Sequence, residues 1–403
     1  MKKKINTVIA GSGFKDSFSF DDFSNVISSQ LLKDRDYKHN IFLSPLADGG
    51  EKSINALEKI LNNTRREKAL IYNAAREKTN IDYLVINSDS VFIDSSLILK
   101  IDFDDFDNQN PLYLSSEGLG EMVQFVYKKG FRNIIIGLGG TSTVDAGLGF
   151  LDALGVIFYD SKGIQISPLY GEDISKVVNF DAYGSLLLND DLNITFLCDA
   201  KANFSQIETP TLLKIGSKYD QEKYNIFNQL KNGLDHTLKL SNNFFSSHRD
   251  FNNFSNFFGV AGGMLILSSF LIKNLKVQLG AEYFIHISNF ENLVKKADLV
   301  ITGEGMLDNS TLGKIPIKIS LIAKKYNKKL IYIIGSTDEK LNSPIEYMPP
   351  RELQELGISA ILTTLGKKQK EIPIRYDLLD FYKSNTTNKI GQHLNSMIAE
   401  LFQ

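Results

Sequence analysis

Asn133-Ile-Ile-Ile-Gly-Leu-Gly-Gly-Thr-Ser-Thr143 joins a short β-branched run to a glycine-rich turn. A strand, a loop and a helix in that order are typical of α/β proteins. Glycines let backbone N–H groups approach an anion, and the start of the next helix adds a favourable dipole. The stretch therefore predicts phosphate binding; the alternative is a tight turn in which Thr141 or Thr143 caps the helix.

Similar loops lie beside other predicted strands, at residues 11–17, 47–51, 259–263 and 303–308. Ligands of open α/β sheets bind outside the carboxyl ends of the strands, so these loops are candidate binding loops. The two ends of the chain share one strand and helix pattern, whereas residues 204–256 predict no element. We therefore expect one α/β domain that is interrupted by the middle of the chain, with the first boundary near residue 75.

The composition excludes several classes of protein. The 403 residues predict two or three domains, and 45 basic against 47 acidic residues argue against a nucleic-acid partner. One cysteine cannot form an internal disulfide, and the five histidines lack metal-ligand spacing. The longest apolar run, Val260 to Ile272, is too short to span a bilayer, and no export signal is visible. We expect a cytoplasmic protein with a small-molecule substrate and no membrane partner; a homodimer is one assembly that the sequence allows.

Acidic side chains lie in loops at the ends of predicted strands. They are Asp48, Asp145, Asp199, Glu304 and Asp308. Phosphoryl transfer uses carboxylates to hold Mg²⁺ and to orient a hydroxyl nucleophile, and Lys15 could add positive charge. The alternative is that Asp48 and Asp145 only cap helices and that Lys15 is a solvated surface residue.

Two nucleotide-binding fingerprints are absent. A Walker A loop that ends at Gly313-Lys314 would need a glycine where Asp308 stands. The dinucleotide pattern Gly-x-Gly-x-x-Gly fails after Gly11 and again after Gly303, because an aspartate replaces the third glycine each time. Neither a P-loop NTPase nor a standard dehydrogenase is predicted.

Five motifs follow one another along the chain: Ile9–Ser19, Pro45–Glu51, Gly137–Gly149 with Ala153-Leu-Gly, Gly259–Met264, and Asp298–Asp308 followed by Gly313-Lys-Ile-Pro. Together they resemble the motifs of the bacterial glycerate kinase family, which includes glycerate 2-kinases. Their order and spacing agree from about residue 5 to residue 365. The resemblance implies a two-domain α/β fold of the glycerate kinase type. It consists of a Rossmann-like domain (1–75 and 285–385), an inserted α/β domain (76–284) and a C-terminal helix (386–403).

The resemblance also implies ATP- and Mg²⁺-dependent phosphorylation of D-glycerate in a cleft between the two domains. We expect Lys15, Asp48 and Asp145 to be catalytic, with Asp48 or Asp145 orienting the substrate hydroxyl. The expected metal ligands are Asp199, Glu304 and Asp308. The expected substrate- and nucleotide-binding residues are Gly139, Gly140, Thr141, Ser142, Gly262, Gly263, Gly303 and Gly305. Glu51 is a further charged residue that the family motif retains.

Some positions depart from the family pattern. Compared with the family motifs that it resembles, this chain has Ser12 in place of a loop aspartate, Glu117 in place of an arginine or tyrosine, Val144 in place of an amide and Met306 in place of an arginine. Because glycerate is a small anion, an active site should present a replacement cation, for which Lys201, Lys218 and Lys314 are candidates. Two alternatives remain open: a catalytically impaired homologue with a ligand-binding or regulatory role, and a transferase that uses another phosphoryl acceptor.

Overall fold

The computed structural model describes residues 2–14, 18–100, 110–202, 221–245, 254–307, 315–337, 354–363 and 379–402. The chain divides into two compact units, one of residues 1–47 and 281–403 and the other of residues 48–280. In the described part of the chain, no helix has the length and apolar character that crossing a bilayer requires.

The strands are numbered along the chain. They are β1 (Lys3–Gly11), β2 (Gly13–Phe14), β3 (Phe18–Ser19), β4 (Tyr37–Pro45), β5 (Arg65–Tyr72), β6 (Lys78–Val85), β7 (Ser90–Asp94), β8 (Asn133–Leu138), β9 (Ile157–Tyr159), β10 (Asn179–Asp181), β11 (Asn193–Cys198), β12 (Leu275–Leu279), β13 (Leu299–Leu307), β14 (Lys329–Thr337) and β15 (Ala360–Thr363).

The α-helices are numbered in the same way. They are α1 (Phe20–Leu31), α2 (Ser53–Ile60), α3 (Ser96–Leu99), α4 (Glu117–Lys128), α5 (Leu148–Ala153), α6 (Gln221–Phe245), α7 (Leu265–Leu271), α8 (Gly280–Ile287), α9 (Phe290–Lys296), α10 (Ile315–Lys325) and α11 (Leu379–Leu401).

The first unit contains a five-stranded parallel sheet in the order β15-β14-β13-β1-β4. Helix α1 begins at a capping box that Ser19 and Asp22 form: Asp22 N–H donates to Ser19 Oγ at 3.1 Å and Ser19 N–H donates to Asp22 Oδ2 at 3.3 Å. The apolar faces of α1 and α11 share one core with the sheet, through residues such as Phe23, Ile27 and Leu394. The C-terminal helix is therefore part of this unit.

The second unit contains a six-stranded mixed sheet in the order β12-β11-β8-β7-β6-β5. Strands β7, β8, β11 and β12 are parallel to one another, whereas β5 and β6 pair antiparallel. The edge strand β5 places residues 65–72 in this sheet, so the boundary between the units falls at 47/48 and not near residue 75. The sequence pattern changes at residue 65, but it carries no sign that the loop before that point already belongs with the inserted strands.

Helix α6 lies in the segment for which the sequence predicts no element. Its buried residues include Ile226, Leu230 and Leu234, which recur every fourth position and form a narrow apolar stripe. Frequent Asn and Lys around this stripe obscure its period in the sequence. The helix is consequently stabilised by burial of the stripe in the core of the second unit.

Candidate functional site

Three strands of the second unit end side by side and carry the candidate site. Strand β8 is parallel to both β7 and β11, with Leu138 paired to Cys198 and Gly137 paired to Asp94. Parallel neighbours present their carboxyl ends at the same edge of a sheet. Asp94, the Gly139 loop and Asp199, which directly follows Cys198, therefore meet at one edge.

The Asp48–Glu51 loop lies directly against this edge. A Cβ atom on Gly139 would lie 2.6 Å from the Cα of Gly50 and 2.9 Å from Asp199 Oδ2, both closer than real Cβ contacts allow. Only glycine fits between the two loops at this position, because any side chain would push them apart. The residues that the sequence singled out at 48, 139 and 199 thus come together.

The carboxylates of Asp48 and Asp199 converge beside Gly50. A Cβ atom on Gly50 would lie 3.1 Å from Asp48 Oδ1 and 3.8 Å from Asp199 Cβ. The N–H of Gly50 donates to Asp48 Oδ1 at 3.1 Å and so orients that carboxylate. Both aspartates are partly exposed, which leaves them accessible to a ligand.

Gly140 and Glu51 form the next contact along this edge. Gly140 has φ +67°, a left-handed conformation that favours glycine, and a Cβ atom there would lie 2.7 Å from Glu51 Cγ. The following residues are tied to the end of α3, since Ser142 N–H donates to the carbonyl of Leu99 at 2.8 Å. Thr141 is partly exposed and Ser142 is buried, so the predicted phosphate loop presents Gly140 and Thr141.

Lys100 brings a cation to this edge that the sequence analysis missed. Its Nζ lies 3.0 Å from Glu51 Oε1, and its side chain is 42% exposed. Lys100 belongs to no recognisable motif, so the sequence carried no signal for it. Of the predicted replacement cations, Lys201 is described and exposed, whereas Lys218 and Lys314 lie outside the described residues.

Asp94 is a second residue that the sequence analysis missed. Its side chain is fully buried, and Oδ1 accepts hydrogen bonds from the N–H and the Oγ of Ser96 at 3.1 and 2.6 Å. Burial is the main cause that raises the pKa of Asp94 to about 6, and the negative charge of Glu51 raises it further. The hydrogen bonds from Ser96 and from the N–H of Ile54 act in the opposite direction and lower the pKa. Its position as the last residue of a strand was the same signal that identified Asp199.

Replacing Asp94 by asparagine should remove a decrease in the free energy of unfolding that occurs in the wild type as the pH rises. The folded protein keeps the Asp94 proton up to about pH 6, whereas the unfolded chain releases it near 3.8. Wild-type stability should therefore fall by on the order of 2–3 kcal/mol as the pH rises between these values, and stay lower above them. Urea unfolding of Asp94→Asn and wild type at pH 4 and pH 7.5, without nucleotide or Mg²⁺, measures this difference.

The asparagine variant should gain stability relative to wild type at the higher pH. Asp190→Asn is the control, because Asp190 is a surface carboxylate whose side chain is 86% exposed. A difference between Asp94→Asn and wild type that stays the same at both pH values would show that Asp94 ionises as an ordinary aspartate.

Asp145 is completely buried and holds the start of α5 against the turn before α4. Its Oδ2 accepts hydrogen bonds from the N–H and the Oγ of Ser116, both at 2.7 Å, and its Oδ1 accepts one from Gly147 N–H at 3.1 Å. Burial raises the pKa of Asp145, and these bonds partly oppose that shift. The geometry favours the capping alternative, since contact with a substrate would require these bonds to break; a catalytic role for Asp145 stays a prediction.

Gly262 and Gly263 lie behind the phosphate loop. Both are buried, and a Cβ atom on Gly262 would lie 2.0 Å from the carbonyl oxygen of Thr143. The carbonyl of Gly262 also accepts a hydrogen bond from Ala146 N–H at 3.1 Å. The backbone of these glycines packs closely against residues 143–146 and supports that loop. Direct contact of Gly262 and Gly263 with a ligand stays a prediction.

The remaining predicted residues belong to the first unit. Gly303, Glu304 and Gly305 lie in β13 beside β14, and the hydroxyl of Tyr332 donates a hydrogen bond to Glu304. Lys15 and Asp308 lie outside the described residues. Glu304 and Asp199 are therefore held by different units, and their joint metal binding stays a prediction.

The sequence model of the Glycerate kinase family matches residues 7–365, which is most of the chain. This chain belongs to the glycerate kinase family. The family assignment predicted from the ordered motifs is confirmed. The glycine loop and the Asp48–Glu51 loop described above both lie within the matched region.

Curated members of the glycerate kinase family resemble the chain over most of its length. Glycerate 2-kinase of Escherichia coli (strain K12) is 28% identical over 93% of this chain and 94% of its own. Glycerate kinase of Bacillus subtilis (strain 168) is 27% identical over 85% of this chain and 88% of its own. Glycerate kinase of Haemophilus influenzae (strain ATCC 51907 / DSM 11121 / KW20 / Rd) is 26% identical, with 96% and 97% covered.

The predicted fold class is also confirmed by a solved structure. A crystal structure assigned to glycerate kinase 2 of Salmonella typhimurium LT2 has a TM-score of 0.71 to this chain at 24% identity, and 99% of each chain is covered. At that identity, the likeness establishes the shared α/β fold and no more.

The donor set suits Mg²⁺ when a nucleotide shares the coordination. Among the described residues, no three His, Cys, Asp or Glu side chains are placed to hold a metal ion by themselves. Mg²⁺ in kinases commonly takes one or two carboxylates, with phosphate oxygens and waters completing its shell. The carboxylates of Asp48 and Asp199, which both lie near Gly50 and the glycine loop, fit that requirement in a member of the glycerate kinase family.

Proposed function

We propose that this protein uses ATP and Mg²⁺ to phosphorylate D-glycerate or a closely related small hydroxy acid. The observation that carries the proposal is the convergence of Asp48 and Asp199 on the Gly139 loop. Membership of the glycerate kinase family supports the reaction class, and the curated relatives named above support the substrate class.

Asp48 is the proposed acid that orients the acceptor hydroxyl and takes its proton. Its Oδ1 accepts a hydrogen bond from Gly50 N–H, which orients the carboxylate for this role. As the hydroxyl oxygen attacks the γ-phosphorus of ATP, the bond to the β-phosphate oxygen breaks and ADP leaves. In such a reaction, the main contribution of the protein is to hold the acceptor hydroxyl in line with the phosphoryl group.

Asp199 is the proposed Mg²⁺ ligand, and the loop from Gly139 to Ser142 is the proposed phosphate site. Mg²⁺, when bound, neutralises charge on the phosphate oxygens. The close approach of Gly139 and Gly140 to the Asp48–Glu51 loop brings the phosphate loop next to both carboxylates. Lys15, Glu304 and Asp308 remain proposed participants, at the transferring phosphoryl group and at the metal.

The test is ADP release by the purified protein with Mg²⁺, ATP and D-glycerate, beside a blank without acceptor. Release that depends on the acceptor, with 2- or 3-phosphoglycerate as the product, is the expected result. If ADP is released with another hydroxy acid and not with D-glycerate, that hydroxy acid is the acceptor. No turnover with any hydroxy acid, from a folded protein, would contradict the proposal.

A catalytically impaired homologue is the second candidate, and one observation favours it. The residue two positions after Glu304 is Met306, where the resemblance to the family motif implies an arginine. A ligand-binding or regulatory protein of this kind should bind ATP or D-glycerate saturably in calorimetry and release no ADP. Acceptor-dependent ADP release would exclude it.

A further inference from the structure

Gly280 lies against the backbone of Asp48 in the second unit. It is buried directly after strand β12, and a Cβ atom there would lie 2.1 Å from the carbonyl oxygen of Asp48 and 2.6 Å from the backbone nitrogen of Gly49. Both distances are below 3.0 Å, which real Cβ atoms essentially never show. The Asp48 loop can therefore take its position only because residue 280 has no side chain.

The backbone conformation of Gly280 does not by itself require glycine. Its φ angle is not positive, and residues with a side chain adopt negative φ angles freely. Gly280 is also the first residue of helix α8, and alanine is a better helix former than glycine. The close approach of Asp48 is thus the feature that requires glycine at this position.

Gly280 also places Asp48 relative to Asp199. Strands β11 and β12 are parallel, and Cys198 pairs with Leu279 at their ends. The next residues, Asp199 and Gly280, therefore follow neighbouring strand ends at the same level. Because the backbone of Asp48 packs on Gly280, the separation between the carboxylates of Asp48 and Asp199 depends on this contact.

Further backbone contacts hold the same loop. A Cβ atom on Gly49 would lie 2.5 Å from the carbonyl oxygen of Leu197, and one on Gly137 would lie 2.5 Å from the carbonyl oxygen of Gly49. The loop thus crosses the ends of the adjacent strands β12, β11 and β8 at backbone contact distance. Closely packed backbone transmits strain, so an added atom at 280 must displace the loop.

We propose that Gly280 is a positioning residue for phosphoryl transfer, and that it acts by holding the backbone of Asp48 at a set distance from Asp199. The inference rests on the proposed function of the same site, in which Asp48 orients the acceptor hydroxyl and Asp199 binds Mg²⁺. A methyl group at 280 displaces the Asp48 backbone from the strand ends. The acceptor hydroxyl then loses its alignment with the γ-phosphoryl group.

The test compares Gly280→Ala with Gly233→Ala. Gly233 is a matched control, since it is a buried glycine of the same unit and a Cβ atom there would lie 2.8 Å from Cβ of Ile174. Both variants add a methyl group to a tight contact, so both should unfold at a lower temperature. Only Gly280→Ala should lower kcat, by about a hundredfold, which is a common loss when a catalytic group moves by about 1 Å.

A double-mutant cycle with Asp48→Asn separates positioning from a general structural role. If Gly280 acts through the Asp48 carboxylate, Gly280→Ala should cause almost no further loss of kcat once Asp48→Asn has removed that carboxylate. A structural role, or an effect through Asp199, predicts an equal loss in both backgrounds. Equal losses would therefore overturn the inference.

Asp48→Glu tests the same inference even if Gly280→Ala does not fold, because Asp48 is partly exposed and a longer side chain fits there. The variant keeps a carboxylate and moves it by one methylene group. A backbone that is held in place predicts a loss of kcat of about a hundredfold. In a folded Gly280→Ala protein, the longer side chain should instead restore part of the lost kcat. Wild-type kcat in Asp48→Glu would overturn the inference.

The outcomes distinguish this inference from the proposed function. Wild-type turnover that requires Asp48, together with unchanged kcat in Gly280→Ala, overturns the inference alone. An equal loss of kcat in Gly233→Ala and Gly280→Ala does the same. No turnover of any hydroxy acid by the folded wild type overturns the proposed function, and the inference with it.

Discussion

Replacing Asp48 by asparagine is expected to lower kcat for the phosphorylated acceptor by about 10²- to 10⁴-fold while the protein stays folded. The amide oxygen can still accept the hydrogen bond from Gly50 N–H, so the loop should keep its conformation. The amide cannot take up the hydroxyl proton, so the loss should fall on the chemical step. Steady-state kinetics with ATP, Mg²⁺ and the acceptor measure kcat and KM separately.

The same substitution at Asp190 is the control for Asp48. Asp190 lies in the same unit and pairs with Lys273 on the surface, with 86% of its side chain exposed. Asp190→Asn should retain full turnover, and both variants should unfold at the wild-type temperature. Full turnover in Asp48→Asn would refute the proposed role of Asp48, whereas a large fall in its unfolding temperature would assign Asp48 to stability.

Replacing Gly139 by alanine is expected to reduce kcat/KM by about a hundredfold. The added methyl group would lie 2.6 Å from the Cα of Gly50 and 2.9 Å from Asp199 Oδ2, so the two loops must separate. Displacing a catalytic group by about 1 Å commonly lowers the rate by that factor, because the reacting atoms lose their alignment. The measurement is kcat/KM, together with the unfolding temperature of the variant.

Gly391 provides the matched control for Gly139. It lies in helix α11, where a Cβ atom would first meet the flexible side chain of Gln30 at 3.4 Å. Alanine is favoured over glycine inside a helix by about 1 kcal/mol, so Gly391→Ala should keep full activity and gain slightly in stability. Wild-type kcat/KM in Gly139→Ala would show that the contact between the two loops is irrelevant to the reaction.

Local sequence signals predicted much of the fold correctly. The start of α1 is a local signal of this kind, because the capping box of Ser19 and Asp22 involves only residues three positions apart. Alternating strand and helix patterns identified the parallel strands that end at Gly11, Leu138 and Cys198. The sequence did not predict the boundary between the units, because that boundary depends on which sheet β5 joins. It did not predict α6 either, because that helix depends on burial of a narrow apolar stripe.

The candidate site was predicted in part, and the omissions have a common cause. Asp48, Gly139 and Asp199 each stand in a loop at a strand end, which is a signal that a sequence can carry. Asp94 stands at such an end too, but its perturbed pKa comes from complete burial, which depends on what covers it. Lys100 is placed at the site by the tertiary fold, which brings its ammonium group into contact with Glu51.

The sequence by itself determined the alternation of strands and helices, the glycine loops and the membership of the glycerate kinase family. These properties depend on residues that are close in the chain or on the order of motifs along it. The tertiary structure decided which acids meet, which are buried and which cation stands beside them. The reason is that the site depends on contacts between residues far apart in the chain. Leu138 pairs with Cys198 in the sheet, and the backbone of Gly50 contacts Gly139. No local sequence pattern specifies contacts over such distances.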